Sequence, residues 1–273
     1  MIHIDSINLE NLPLIDLKKL RGARKSKLPS FIPPQLATLV KEPPSGDEWL
    51  HELKFDGYRT LSRVDRGRVT VWSRNGKDRT EKFQNVVEAV KSLKATSAML
   101  DGEIVIVDAQ GRSSFQKLQR AMGKATVSGF AYEVFDLIYL DGFSLTQTPL
   151  KHRKELQKDL VGSNSHGVIR YSEHINGSGD EFFKHACEYG IEGIVSKLAN
   201  SHYESTRNRK RLQVKCAKQQ EFVIAGYTPF VKRPARIRFA GLRFLRETEA
   251  RLRGRSWDRL HIQTAQCFEE AAR

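Results

Sequence analysis

Between positions 52 and 59 the chain reads Glu52-Leu53-Lys54-Phe55-Asp56-Gly57-Tyr58-Arg59. Four charged side chains within eight residues make this the densest chemical cluster in the sequence. On a β-strand, where side chains alternate between two faces, Glu52, Lys54 and Asp56 share one face. A lysine between two carboxylates on a core-facing surface is unfavourable unless it is paired or takes part in chemistry. The spacing leaves two interpretations open, a nucleophilic lysine and a charged hairpin that ends in an Asp-Gly turn.

The segments that follow this cluster are rich in strand patterns. Residues 58–64 and 68–72 flank the turn Asp65-Arg66-Gly67, which predicts a β-hairpin. Further apolar runs predict strands at 98–107, 130–139, 193–196, 212–216 and 221–227. Helical spacing of apolar residues predicts helices at 83–93, at 151–160 and around 182–186. Together these elements predict an α+β domain of largely antiparallel sheets flanked by helices.

Composition divides the 273 residues into three parts. The prediction is a basic N-terminal arm over 1–45 that lies over the core, a main domain over 46–220, and an arginine-rich segment over 221–273. The formal net charge of +14 favours a polyanionic partner, because lysine and arginine release counterions from phosphates. Nucleic acid is favoured over an acidic membrane surface, since no strongly amphipathic basic helix stands out.

Several classes of protein are excluded by what the sequence lacks. It has no run of eighteen apolar residues and no secretory signal pattern at its N-terminus. Three cysteines, Cys187, Cys216 and Cys267, show no zinc or disulfide spacing, so they are interpreted as unpaired thiols in a reducing cytoplasm. Neither a GxxxxGK[ST] loop nor a GxGxxG loop is present, so a bound nucleotide needs another device.

The cluster at 54–59 resembles the KxDGxR signature of the covalent nucleotidyltransferases, which include ATP-dependent DNA ligases, RNA ligases and mRNA capping enzymes. Five further stretches follow in family order and resemble the SRNG, DGE, FDLLYLDG, EGIVxK and KxK-type elements. They are Ser73-Arg74-Asn75-Gly76, Leu100-Asp101-Gly102-Glu103-Ile104-Val105, residues 132–142, residues 192–197 and residues 213–218. Six ordered matches are highly specific. The wording after position 100 is most similar to the ligase module of the bacterial end-joining ligases (ligase D).

The resemblance implies an adenylation (nucleotidyltransferase) domain with an ATP-grasp-like ligase fold over 46–220. Lys54 would attack the α-phosphate of ATP, expel pyrophosphate and hold AMP as a phosphoramidate. Nine residues would bind ATP or AMP: Glu52, Leu53, Arg59, Arg74, Glu103, Phe135, Lys197, Lys215 and Lys218. Asp56 and Glu192 would lie near the metal, Mg²⁺ or Mn²⁺, because such ions bridge carboxylates to phosphates.

The implied roles agree with what these side chains can do. Glu52 and the adjoining backbone would face the adenine, on which Phe135 would stack. The two arginines would hold ribose and phosphate oxygens, and Glu103 would accept a ribose hydroxyl. The three lysines would neutralise phosphate charge during transfer.

The resemblance implies an ATP-dependent DNA ligase that seals 5′-phosphate/3′-hydroxyl breaks in nicked or broken double-stranded DNA. The expected setting is DNA repair or end joining in the bacterial cytoplasm, as a monomer, with end-joining repair proteins as partners and no membrane association. Two alternatives stay open. One is an RNA ligase or a capping-type nucleotidyltransferase, which shares the lysine signature. The other is a non-catalytic nucleotide- or DNA-binding remnant.

The last alternative arises from the C-terminal segment. DNA ligases of this family continue into a five-stranded OB barrel, which needs roughly 60 to 90 residues. Only 52 residues follow Glu221, and the likeness fades after Phe230. A truncated chain, a frameshifted remnant and a reduced, divergent barrel all fit this pattern. The expectation is a short or incomplete OB-fold-like β segment.

Overall fold

A computed structural model describes residues 16–107, 112–122, 129–162 and 167–216, together with the backbone of 223–224 and 242–243. The chain divides into two compact units, residues 1–217 and 218–273. Of the second unit, only an antiparallel pair of two-residue strands is described. The OB-fold-like segment expected over 221–273 therefore lies otherwise outside the described residues, as does Lys218.

The described part of the first unit contains twelve strands and four α-helices. The strands are β1 (Arg24–Lys25), β2 (Leu36–Leu39), β3 (Trp49–Leu53), β4 (Tyr58–Asp65), β5 (Arg68–Ser73), β6 (Ser97–Ile106), β7 (Phe130–Leu140), β8 (Phe143–Ser144), β9 (Ile169–Tyr171), β10 (His174–Asn176), β11 (Gly193–Leu198) and β12 (Arg207–Lys215). The helices are α1 (Gln84–Lys91), α2 (Phe115–Met122), α3 (Leu150–Val161) and α4 (Gly179–Glu188), and a 3₁₀ turn over Thr80–Phe83 leads into α1. The two short strands of the second unit are β13 (Val223–Ile224) and β14 (Leu242–Arg243).

The twelve strands form two sheets. The larger sheet runs β1-β8-β7-β6-β4-β5, with β9 also paired to β7, and the smaller sheet runs β10-β3-β11-β12-β2. Within these sheets β7 pairs with β9 and β12 pairs with β2 in parallel, while the other pairs are antiparallel. The α+β domain of antiparallel sheets flanked by helices is thereby confirmed.

The core lies mainly on the larger sheet. Strand β7 is buried from Phe130 to Tyr139 on both of its faces, as its nearly continuous apolar run requires. On one side it packs with α1 and α3, whose buried side chains include Val86, Val90 and Leu156. The buried Arg153 of α3 forms an ion pair with the buried Asp136 of β7, because an unpaired buried charge is strongly unfavourable.

The predicted hairpin forms between β4 and β5. Its two turn residues, Arg66 and Gly67, have φ angles of +50° and +80°. Two successive residues with positive φ are typical of a type I′ turn, which matches the twist of the paired strands. The described part of the basic arm expected over 1–45 adds β1 to the larger sheet and β2 to the edge of the smaller one.

The hairpin interpretation of the 52–59 cluster is wrong. Strand β3 belongs to the smaller sheet and β4 to the larger one, so residues 54–57 cross from sheet to sheet. The crossing is tight at Gly57, where a Cβ atom would lie 2.2 Å from the carbonyl oxygen of Ile104. Only glycine can pass this close to β6, which explains the glycine in the cluster.

The interpretation of the cysteines as unpaired thiols is also wrong for two of the three. Cys187 on α4 and Cys216 beyond β12 form a disulfide, with Cα atoms 5.4 Å apart. The spacing of 29 residues matches no sequence pattern, so the sheet geometry was needed to find the pair. Cys267 lies outside the described residues. None of the described helices is both long and apolar enough to span a membrane.

Candidate active site

A cavity of about 230 Å³ lies between the two sheets. Its walls come from β3, β11, β12 and β2 of the smaller sheet and from β4, β6 and β7 of the larger one. Eight of the residues singled out in the sequence line it: Glu52, Leu53, Lys54, Arg59, Arg74, Glu103, Phe135 and Lys197. Residues from five separate sequence elements therefore meet at one cavity.

The buried end of the cavity is formed by Glu52, Phe135 and Lys197. Glu52 is 2% exposed and Lys197 is 2% exposed, so both side chains are almost inaccessible to solvent. The Lys197 ammonium donates to Glu52 Oε2 at 2.7 Å and to the Phe135 carbonyl oxygen at 3.2 Å. The same ammonium lies 4.7 Å from the centroid of the Phe135 ring. A flat aromatic face and a fixed carboxylate thus bound one small volume.

The charges at the buried end are unbalanced toward positive. Burial raises the pKa of Glu52, but the ammonium groups of Lys154 and Lys197 outweigh burial and hold that pKa below its usual value. Burial, together with the nearby cations Arg211 and Lys154, lowers the pKa of Lys197 to about 7 against the opposing effect of Glu52. Glu52 therefore stays an anionic hydrogen-bond acceptor at neutral pH.

Arg59 forms another part of the cavity wall. Its guanidinium carbon lies 4.4 Å from the centroid of the Phe135 ring, and Asp101 accepts two of its N–H groups at 2.6 and 2.7 Å. The hydroxyl of Tyr203 donates to the same carboxylate at 2.7 Å. Burial lowers the pKa of Arg59, but Asp101 more than reverses that effect. The guanidinium is thus a fixed, charged plane beside the aromatic ring.

The open end of the cavity is lined by Lys54, and Glu192 and Lys215 lie beside it. The backbone N–H of Lys54 donates to the Gly193 carbonyl oxygen at 2.9 Å, which fixes the start of the crossing. Its ammonium donates to Glu192 Oε2, and Lys215 Nζ lies 3.2 Å from Glu192 Oε1. The side chains of Lys54 and Glu192 are 18% and 22% exposed, so this end is accessible. Lys215 does not line the cavity. It is linked to Lys54 through Glu192, which contacts both lysines.

Glu103 on β6 stands between these two ends. Burial, together with the negative charges of Asp101 and Glu192, raises the pKa of its carboxyl to about 7. The cations Arg59 and Lys54 act in the opposite direction without overcoming it. The site therefore concentrates carboxylates around one lysine, and a bound cation would relieve their repulsion.

Asp56 does not follow the predicted alternation. Strand β3 ends at Leu53, so Glu52 and Lys54 line the cavity whereas Asp56 turns to the start of α2. Its Oδ2 accepts the backbone N–H of Phe115 at 3.2 Å, and its own N–H donates to Ser113 Oγ at 2.8 Å. One oxygen of this carboxylate thus serves the N-terminus of the helix.

The carboxylates near Lys54 decide whether the divalent metal implied by the resemblance could bind here. Within the described ranges, no group of three or more His, Cys, Asp or Glu side chains clusters as a metal site. A partly exposed carboxylate, Glu192, contacts the lysine of the motif, and a Mg²⁺ site in a nucleotide enzyme uses one or two carboxylates plus phosphate oxygens. The residues therefore fit a metal held jointly with phosphates.

Several residues that line the cavity were not predicted as site residues from the sequence. They are Gln35, Leu36, Ala37, Val195, Arg207, Arg211 and Gln213. Most come from β2 and β12, whose parallel pairing joins positions about 170 residues apart and leaves no local signal. Arg211 also bonds Asp136, a buried carboxylate that Arg153 holds at 2.7 Å.

Comparison with known proteins supplies the context for this geometry. Residues 34–216 match the family described as ATP dependent DNA ligase domain. The chain is 38% identical over 208 residues to the multifunctional non-homologous end joining protein LigD of Pseudomonas aeruginosa. This alignment covers 76% of the present chain and 25% of the Pseudomonas protein. The chain is 34% identical over 201 residues to the SPbeta prophage-derived DNA ligase-like protein LigB of Bacillus subtilis, which covers 72% of each.

Solved structures agree with the sequence comparisons. The fold matches a mycobacterial DNA ligase D complexed with ATP and MES with a TM-score of 0.60 at 30% identity, over 71% of this chain and 63% of that one. It matches the ligase domain of Mycobacterium tuberculosis LigD with a TM-score of 0.58 at 29% identity, over 67% and 60%. The chain spans about a quarter of the length of the Pseudomonas relative.

Proposed function

Because the chain belongs to the ATP-dependent DNA ligase family, we propose that it seals 5′-phosphate/3′-hydroxyl breaks in DNA through AMP carried on Lys54. The observation that carries this proposal is the contact of Lys54 with Glu192 at the accessible end of a cavity whose other end is closed by Glu52 and Phe135. In this proposal the base of the nucleotide lies at the buried end and its phosphates lie at the lysine.

The first step forms a P–N bond and breaks a P–O bond. The Lys54 amine attacks the α-phosphorus of ATP, and pyrophosphate leaves with the electron pair of the broken bond. The proton that the lysine loses passes to Glu192, whose Oε2 accepts the Lys54 hydrogen bond. Lys215 and Lys218 supply positive charge for the phosphates, since electrostatic stabilisation dominates phosphoryl transfer.

The nucleoside is held by the remaining lining residues. Phe135 stacks on the adenine. The cations of Arg59 and Lys197 contact the Phe135 ring and help to hold it in place. Glu52 and the backbone at Leu53 face the base edge. Arg74 binds phosphate or ribose oxygens, and Glu103 accepts a ribose hydroxyl.

A divalent metal, Mg²⁺ or Mn²⁺, completes the site. Glu192 would hold it together with phosphate oxygens and water, and Asp56 would contribute only through its Oδ1, because its Oδ2 accepts the N–H of Phe115. When bound, the metal would reduce the negative charge on the transferred phosphate.

The later steps use DNA. AMP passes from Lys54 to the 5′-phosphate of nicked or broken double-stranded DNA, and the 3′-hydroxyl then displaces AMP. The net charge of +14 supports a partner bound through its backbone phosphates without sequence readout. We further propose that the chain acts as a monomer in the bacterial cytoplasm, with end-joining repair proteins as partners.

The test is covalent labelling of the purified chain with α-labelled ATP and Mg²⁺, read on the denatured protein. We expect a labelled band that disappears in Lys54→Met and persists in Lys94→Met, a matched change at an exposed lysine. Chasing the labelled protein with nicked DNA should move the label to DNA. Parallel reactions with GTP and nicked RNA distinguish a capping-type enzyme or RNA ligase, and absence of label would contradict autonomous adenylation.

A further inference from the structure

A second layer of residues holds Glu52 from outside the cavity. Lys154 on α3 and Ser172, just beyond β9, both contact the Glu52 carboxylate, yet neither lines the cavity. Lys154 is 1% exposed and Ser172 is 1% exposed. Neither residue belongs to a motif of the sequence, and Lys154 sits on a helix that also carries solvated lysines.

The contacts form a closed triangle. Lys154 Nζ lies 3.1 Å from Glu52 Oε1 and donates to the Ser172 carbonyl oxygen at 2.6 Å. The Ser172 hydroxyl donates to Glu52 Oε2 at 2.9 Å. The Lys154 ammonium also lies 4.1 Å from the centroid of the Tyr171 ring. Each member fixes the other two, so the carboxylate has little freedom to rotate.

This arrangement treats the two oxygens of Glu52 differently. Oε2 accepts from Ser172 and Lys197, whereas Oε1 faces the Lys154 ammonium at 3.1 Å. An ionised carboxylate has about four acceptor sites, so these partners leave capacity for one more donor. Because Glu52 lines the cavity, a ligand group that meets its carboxylate there is a hydrogen-bond donor.

We propose that Lys154 and Ser172 are positioning residues that hold Glu52 as an acceptor for the 6-amino group of a purine, and so make the site select adenine. The proposal rests on the proposed function, in which Glu52 faces the base. It explains why a lysine is buried behind the cavity: a second cation keeps the carboxylate anionic and aimed, as outer-layer partners do for metal ligands. Guanine, which carries an oxygen at position 6, would face an anionic acceptor and be rejected.

The test compares equilibrium affinities for AMP and for purine riboside 5′-monophosphate, which lacks only the amino group, by isothermal titration calorimetry on the full chain. A hydrogen bond to a charged group predicts a preference of about 10- to 100-fold for AMP in the unmodified protein. Lys154→Met should reduce that ratio by about tenfold, and Ser172→Ala by about threefold. Lys158→Met is the matched control, because Lys158 lies one turn further along α3 with its side chain 49% exposed, and its ratio should not change.

A purely structural lysine gives a different result. Lys154→Met would then weaken both nucleotides equally, or lower the melting temperature with an unchanged ratio, and either outcome overturns the proposal. If Lys154→Met does not fold, an unchanged ratio in Ser172→Ala overturns it instead. Covalent labelling tests the proposed function separately. A protein that is labelled by ATP but binds AMP and purine riboside 5′-monophosphate equally well would refute the selection of adenine. It would leave the proposed ligase chemistry intact.

Discussion

Glu52 and Lys54 are two residues apart, yet the two ends of the cavity that they define differ in burial and in the number of partners. At the buried end one carboxylate is fixed by three donors from three other segments, and the side chains are almost inaccessible. At the open end the lysine and its carboxylate partner are each about one-fifth exposed, and Lys215 is more than half exposed. The comparison suggests that recognition of the base needs rigidity, whereas transfer of the phosphate needs groups that can change partners.

The largest effect should come from removing the carboxylate of the open end. Glu192→Gln takes away the proposed proton acceptor of Lys54, and the rate of labelling with ATP should fall by about 100- to 1,000-fold, as for loss of one stabilising group in a transition state. The AMP preference at the buried end should remain. Glu188→Gln, at an exposed position on α4, is the control. A loss of base preference in Glu192→Gln would mean that the two ends are not separable.

Loss of the Arg59–Asp101 ion pair beside Phe135 should mainly lower the stability of the folded protein. Asp101→Asn leaves the Arg59 guanidinium without its anion in a buried site, which costs about 3–5 kcal/mol. Thermal unfolding should move down by about 10 °C for a domain of this size. Asp65→Asn, which affects a surface pair, should leave the melting temperature nearly unchanged. Similar melting temperatures for the two variants would show that the Asp101 clamp is not needed for rigidity.

These contrasts also show how far the sequence could predict the site. Ordered motifs singled out Lys54 and Phe135, which line the cavity, and Glu192, which contacts Lys54, because the chemistry restricts residue type at fixed spacing along short segments. The assumption of strand alternation failed at Asp56, since the chain leaves β3 after Leu53 to reach the other sheet.

The rest depended on packing. Nothing local distinguishes Lys154, which turns inward, from Lys151 and Lys158 on the same helix, which face solvent. Likewise, Gln35 becomes part of the cavity only because β2 pairs with β12. Helices and strands with strong periodicity were predicted within a few residues, whereas α2 and the short strands β8 to β10 were not.

A disulfide lies beside the open end and has no counterpart at the buried end among the described residues. The Cys187–Cys216 disulfide closes a loop of 29 residues that includes Glu192 and Lys215. By the chain-entropy relation, cleaving it should lower the free energy of unfolding by about 3–4 kcal/mol. Calorimetric unfolding with and without dithiothreitol measures the effect, with Cys187→Ser expected to match the reduced protein. Labelling by ATP should persist after reduction, because the Lys54–Glu192 contact is non-covalent. A melting temperature that does not change on reduction would contradict a stabilising role for the disulfide.

The smallest effect concerns Glu103, between the two ends. Its pKa of about 7 in the folded protein lies above the usual value, so the folded state holds a proton that the unfolded state releases. Stability conferred by this group is therefore present at low pH and is lost as pH rises from about 4.5 to 7. Glu103→Gln should raise the melting temperature by about 2–5 °C at pH 8 and by less at pH 5. Equal shifts at both pH values would argue against a raised pKa.

The parallel pairing of β2 with β12 has a consequence for how the protein folds. Leu36 lies beside Arg207, so this wall of the cavity joins two strands separated by about 170 residues. Closing such a long loop is entropically unfavourable, and contacts of this kind form late on a folding pathway. A ribosome-bound chain that has emerged only as far as α4 already contains Lys54, Glu103 and Phe135, but it lacks the strands that complete the cavity. We therefore expect the cavity to be completed only close to the end of synthesis of the first unit.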